Sequence, residues 1–188
     1  ELVGQIRVPA SSVQPMEMGV RKIIARRAAL ELKKGALVNL GLGVSDGIAT
    51  VANEEGVAGQ ITLTIETGLM GGVPLTGLAM GAGVNPEALY KMPDTFDLYN
   101  GGGLDQAFLS GAEIDEEGNV NVSRFSGKVA GPGGFINIAQ NTKKVCFSGV
   151  FTAGRVDIRC EDGKLRIVQD SDKLKYVKKV EQVTFSGK

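Results

Sequence analysis

Residues 36 to 45 read Ala36-Leu37-Val38-Asn39-Leu40-Gly41-Leu42-Gly43-Val44-Ser45, and residues 61 to 66 read Ile61-Thr62-Leu63-Thr64-Ile65-Glu66. Ala36 to Leu40 is a short apolar run of strand length, Gly41 to Val44 a tight loop. Ser45 then stands as an N-cap for a helix over Ile48, Val51 and Ala52 to Glu55. Ile61 to Glu66 is a second apolar strand. Strand, helix and strand joined by short loops form a βαβ unit, whose strands run parallel and whose sheet is covered on both faces. The expected fold class is therefore α/β, a three-layer α/β/α domain with a mostly parallel sheet.

Upstream, Met16, Val20, Ile23, Ile24 and Ala28 recur at three-to-four spacing, which predicts a helix from Pro15 and Met16 to Lys34, ended by Gly35. Its Arg21, Lys22 and Arg26 read as a solvated face. Leu2 to Val8 reads as a strand. Downstream of Glu66 the pattern dissolves into glycines at 68, 71, 72, 77, 81 and 83, where the backbone takes unusual dihedrals or approaches something closely. Ala107 to Ile114 is an apolar strand, and Asp115 to Gly118 turns it into Asn119 to Arg124. Phe135 to Asn141 is a short helix and Lys144 to Val150 a strand. Arg155 to Cys160 and Lys164 to Val168 flank Glu161-Asp162-Gly163, a hairpin signal. These peripheral β-hairpins complete the expectation of one α/β domain over residues 1–188.

Composition narrows the chemistry. The 188 residues carry 21 Lys+Arg against 21 Asp+Glu, so the attraction that a nucleic acid or an anionic membrane demands is missing. There is no His, which removes Ser-His-Asp triads, Cys-His dyads, His-ligated zinc and imidazole proton shuttles together. Cys146 and Cys160 lack a CxxC spacing and read as small buried hydrophobes, so no metal site is expected. No run of 18 apolar residues and no basic-then-apolar leader is present, which points to the cytoplasm. The chain opens on Glu1 and reads as a fragment of something longer.

Three stretches have the form of a site. Gly41-x-Gly43 after a strand resembles the start of a dinucleotide fingerprint, but Asp46 occupies the third glycine's place, and an ordinary tight βα turn fits equally well. Glu66 ends a strand beside glycines, at the sheet edge where ligands of open α/β sheets bind; a surface carboxylate at a strand end would read the same. Gly131-Pro132-Gly133-Gly134 before a helix has the form of an anion nest or of a rigid turn.

Taken in order, Gly41-x-Gly43, Glu66-x-Gly68-x-x-Gly71, Gly101-Gly102-Gly103-Leu104-Asp105 leading to Phe108-Leu109-Ser110-Gly111-Ala112, and Gly133-Gly134-Phe135 resemble the family I coenzyme A transferases. The resemblance spans essentially the whole chain. It is nearest the acetate/propionate branch, which accepts short-chain acyl-CoAs, and matches the C-terminal, β-subunit-like half of those enzymes. It implies Glu66 as a nucleophile that passes through a glutamyl-CoA thioester, with Leu42 and Gly134 as backbone oxyanion donors. It further implies Gly41, Gly43, Gly68, Gly101, Gly102 and Gly133 as lining for CoA and substrate. No cofactor is implied, coenzyme A being a substrate. The implied partners are an acyl-CoA, a small carboxylic acid and the N-terminal, α-like half, absent from this chain, with the active site between the halves; homo-oligomers are also implied. Many relatives read Ser-Glu-Asn-Gly where Ile65-Glu66-Thr67-Gly68 stands here, which fits the acetate/propionate branch.

Carboxylate and thiolate attack as anions, so this chemistry does without His. It needs oxyanion donors and a dry site, for which Leu69, Met70 and Val73 are expected to provide aliphatic walls. An acyl-CoA hydrolase on the same scaffold and a ligand-sensing or assembly domain are the competing readings.

Overall fold

A computed structural model describes residues 6–76, 79, 81–171 and 173–188, with the side chains of Thr152, Cys160 and Leu165 outside the description. They form two compact units, one of residues up to Ser110 with Gly134–Ser148, the other of Gly111–Gly133 with Gly149–Lys188.

In the first unit the elements in chain order are α1 (Val20–Ala29), β1 (Leu37–Leu40), α2 (Gly47–Glu54), β2 (Thr62–Thr64), β3 (Leu69–Met70), β4 (Ala88–Leu89), α3 (Met92–Asn100), β5 (Gln106–Leu109), α4 (Phe135–Gln140) and β6 (Lys144–Phe147). The sheet order is β6-β5-β1-β2-β3-β4. The first four of these run parallel, with Val38 level with Leu63 and Gln106, and β3 and β4 close the edge antiparallel. The expected α/β class is what the chain adopts.

Alternation along the strands sorts the two faces. Val38, Leu40, Leu63, Ile65 and Phe108 meet Ala25 and Ala29 of α1 and Ile48, Ala49 and Val51 of α2 in one buried cluster. Asn39 and Thr64, one residue out of phase, face the other way and are bonded by the Tyr99 hydroxyl of α3. Helices thus cover both faces.

Several local expectations are corrected. The first helix begins at Val20 and ends at Ala29, with Gly19 before it, so it is shorter at both ends than Pro15 to Lys34. Of its cations, Arg21 and Arg26 do face solvent while pairing with Asp46 (2.7 Å) and Glu55 (3.0 Å), whereas Lys22 is largely buried against Glu54 (2.6 Å); the three pairs tie α1 to α2, and Val20 and Ile23 lie exposed. Buried contact between these helices is made by small residues such as Ala25 and Gly47, close enough for long cationic stems to reach across. Ser45 is not an N-cap, since Asp46 precedes α2 and the Ser45 hydroxyl bonds the Ser148 hydroxyl instead (2.9 Å). Ala107 to Ile114 is broken after Leu109, and Glu113–Ile114 pairs with Val120–Asn121 as a separate hairpin. Residues 6–8 of the expected first strand are not extended pairs, and 2–5 lie outside the described residues, as does Gly77.

The second unit is built of two-stranded ribbons. Asp157–Glu161 and Lys164–Gln169 pair antiparallel around Asp162 (φ 51°) and Gly163 (φ 72°), the two left-handed positions that a two-residue hairpin turn of matching twist requires. Asp115 anchors the neighbouring turn, its carboxylate accepting from the Glu117, Asn119 and Val180 amides. Cys146 of β6 is a free thiol, half-buried against the first unit's core.

Candidate active site

β2 stops at Thr64, and the chain turns back at once into β3. The turn is Ile65-Glu66-Thr67-Gly68, closed by the Gly68 amide donating to the Ile65 carbonyl (2.9 Å) and the Ile65 amide to the Leu69 carbonyl (3.1 Å). Glu66 and Thr67 therefore occupy its tip. Gly68 has φ +116°, and a Cβ there would lie 1.9 Å from the Tyr90 carbonyl oxygen; the Tyr90 amide donates to the Gly68 carbonyl (2.8 Å). Only glycine permits this approach, and it fixes the turn against the segment entering α3.

Glu66 follows Thr64 by two residues and shares its face. Its side chain reaches the start of α4, where a Cβ on Gly134 would stand 2.5 Å from Oε2 and 2.9 Å from Cζ of Phe96 on α3. The absence of a side chain at Gly134 is thus what leaves room for the carboxylate. Burial, with no cationic partner among the described residues, pushes the Glu66 carboxyl above its ordinary range. Such a group is half-desolvated and, once ionised, poorly neutralised, the condition under which a carboxylate attacks a carbonyl rather than resting in an ion pair.

The neighbouring strand supplies the second element. Asn39 is level with Thr64, so extending the register by two residues brings Gly41 level with Glu66. Adjacent strands lie about 4.8 Å apart. Gly41 is wedged against Leu109, and its amide donates to the Phe108 carbonyl (2.8 Å). Arg21 holds the loop, donating to the Gly43 carbonyl (2.8 Å) and to Asp46 (2.7 Å). Burial raises the Asp46 carboxyl while Arg21 opposes it. The Leu42 side chain is 65% exposed. Among the described residues, neither the Leu42 nor the Gly134 amide donates to a backbone carbonyl.

Of the residues singled out from the sequence, Glu66, Gly68, Gly41, Leu42, Gly43 and Gly134 gather at the carboxyl edge of the parallel strands. Gly101 and Gly102 do not. They follow α3 and precede β5, with Asp105 binding the Leu37 amide at the amino end of β1, a strand length of ~13 Å from Glu66. A loop entering a parallel strand lies at the opposite edge from one leaving it, so this glycine run does not line the site. Gly133 belongs to the second unit and has φ +53°. Leu69 and Val73 are also misassigned as walls, because both are buried in the core cluster on the α1/α2 face.

What sequence reading missed is α3. Pro93 and Asp94 in its first turn were the available signal. Its Tyr99, 1% exposed, accepts from Asn39 Nδ2 (3.1 Å), shares a 2.6 Å hydrogen bond with Thr64 Oγ1, and packs edge-on against Phe96 with ring centroids 6.0 Å apart. This anchored aromatic pair is the apolar wall beside Glu66.

No protein-family model matches the chain. It is 46% identical over 185 residues, 98% of its length, to acetate CoA-transferase YdiF of Escherichia coli (strain K12). It is 46% identical over 190 residues to the caffeate CoA-transferase of Acetobacterium woodii. Among solved structures, the thioester complex with CoA of the acyl-CoA transferase YdiF from E. coli O157:H7 superimposes with a TM-score of 0.81, at 45% identity, over 93% of this chain and 33% of that one. The chain spans 35% and 36% of the two curated relatives' own lengths. In sequence along nearly all its length, and in the mixed α/β sheet it forms, the chain belongs to the CoA-transferases.

Proposed function

We propose that this chain is the nucleophile-bearing, C-terminal β-like part of an acyl-CoA:carboxylate CoA-transferase for short-chain acyl groups, with Glu66 as the nucleophile. The observation that carries the reading is the Glu66 carboxylate, half-buried at a strand end, without a cationic partner among the described residues, and lodged against the bare Gly134. The solved relative bearing a CoA thioester supports the same chemistry.

A Glu66 oxygen attacks the thioester carbonyl, the C–S bond breaks, and CoA thiolate leaves a mixed anhydride. The thiolate then attacks the glutamyl carbonyl, forming a C–S bond and expelling the first acid as a carboxylate. An incoming carboxylate runs both steps backwards and departs as the new acyl-CoA. This is covalent ping-pong catalysis. Each step passes through a tetrahedral oxyanion, for which the proposed donors are the Leu42 and Gly134 amides, neither of which donates to a backbone carbonyl among the described residues. Acyl-CoA, a small carboxylic acid and the remaining, α-like part of the polypeptide are the proposed partners.

The test is intact-mass and peptide mapping of the complete polypeptide after mixing with acetyl-CoA and no acceptor. A CoA adduct on the peptide holding Glu66, absent in Glu66→Ala, is expected. An adduct that survives Glu66→Ala, or steady release of free CoA without any carboxylate acceptor, overturns the reading.

A further inference from the structure

We propose that Phe96 sets the upper size of the acyl group, a specificity role that rests on Glu66 being the nucleophile. The argument is one of space. Glu66 Oε2 and the Phe96 ring tip both border the one methyl-sized position that Gly134 leaves bare, at 2.5 Å for the oxygen and at 2.9 and 3.1 Å for Cζ and Cε1. In a mixed anhydride the acyl carbon is one covalent bond from a glutamyl oxygen, so the first carbons of the acyl chain start at the edge of this ring.

The ring cannot yield easily. Phe96 leans edge-on against Tyr99 (interplanar angle 77°), and Tyr99 is itself pinned by Thr64 of β2 and Asn39 of β1. Its wall is therefore held by the same two strands that hold Glu66 and the Gly41 loop. Phe96 is only half-buried, so one side of the ring remains open to a ligand. Backbone at Gly134 cannot retreat either, because its carbonyl accepts the Ile138 amide that forms the first turn of α4 (3.0 Å). A small acyl group fits between these groups, and a longer one meets the ring. The two curated relatives, equally similar to this chain, are named for acyl groups as different as acetate and caffeate, so acyl size is a property that varies on this scaffold.

The experiment compares kcat/KM for acetyl-CoA, butyryl-CoA and hexanoyl-CoA in the complete wild-type polypeptide, Phe96→Leu and Phe96→Tyr. One methylene in an apolar pocket discriminates by about 10-fold or more. Phe96→Leu is expected to raise the hexanoyl-to-acetyl ratio at least ~10-fold. Phe96→Tyr keeps the ring and its contact with Tyr99, adds an oxygen at the crowded tip, and is expected to lower the butyryl-to-acetyl ratio; it serves alone if the leucine variant does not fold. Ratios within twofold of wild type, or equal loss for all three acyl groups, overturn the proposal. Mapping the CoA adduct in the same wild-type sample separates the two failures: an adduct off Glu66 refutes the nucleophile, whereas unchanged ratios with the adduct on Glu66 refute Phe96 alone.

Discussion

Gly134→Ala probes the geometry of the proposed nucleophile at a modest cost in stability. At φ −76° and ψ −4° the backbone is in the helical region open to any residue, so alanine brings no dihedral strain. The alanine is expected to stabilise by about 0.4–1 kcal/mol through the unfolded chain, and its weaker N-cap preference offsets a similar amount. Crowding against the pinned Phe96 ring adds an overpacking cost of about 1–3 kcal/mol, so the melting temperature is expected to fall by about 2–8 °C. The methyl itself stands 2.5 Å from Glu66 Oε2 and 2.9 Å from Phe96 Cζ. Ordinary contact begins near 3.5 Å, so the carboxylate, as the more mobile group, is displaced by roughly 1 Å. A misplacement of that size costs about 100-fold in rate. The assay is acetyl-CoA:propionate exchange in the complete polypeptide, with the rate of CoA adduct formation read in parallel. Exchange within twofold of wild type would refute the geometry. A larger fall in melting temperature would show instead that α4 moved and the carboxylate did not.

Glu66→Gln is expected to abolish exchange yet raise the melting temperature at neutral pH. Burial raises the Glu66 pKa in the folded chain, so the folded state binds its proton more tightly, and the associated stability is present at low pH and lost as pH rises through the raised value. The gain from glutamine should therefore vanish on acidification, and a gain that persists at low pH contradicts it. In the wild type the first half-reaction needs the ionised form, so its rate should fall on acidification with a midpoint above the ordinary glutamate value; a midpoint at or below that value counts against burial as the cause. Gly68→Ala drives a methyl into the Tyr90 carbonyl at a positive φ, and should destabilise by about 3 kcal/mol or more in urea titration. Tyr99→Phe strands Thr64 Oγ1 and leaves Asn39 Nδ2 only its long bond to the Thr64 carbonyl (3.5 Å), at a cost of about 1–3 kcal/mol by the same titration.

Much of the fold was legible because strand periodicity and turn chemistry are local. Ala36 to Glu66 disclosed a βαβ unit from two apolar runs and the loops between them, and Asp162-Gly163 disclosed its hairpin from two residues that tolerate left-handed dihedrals. α1 was misread for the same reason: three-to-four spacing says which residues share a stripe but not which stripe faces inward. Packing decided that, burying Ala25 and Ala29 against α2 and leaving Val20 and Ile23 outside, with Lys22 held in the seam by Glu54 and the exposed Arg21 and Arg26 paired with Asp46 and Glu55 at the ends of α2.

The sequence by itself determined the class of fold and the lack of any imidazole in this chain, which follow from residue type and spacing along the chain, and its resemblance to the CoA-transferases singled out Glu66 as the candidate nucleophile. Only the tertiary structure decided which glycines lie beside that residue. Gly41 and Gly134 are brought to it by strand register and by α4, whereas Gly101 and Gly102, identical in kind, fall at the far edge because they enter a strand and do not leave one. Phe96 became visible for a related reason, since a contact between residues 66, 96 and 134 is made by packing two helices on one face of a sheet and leaves no mark on any local pattern.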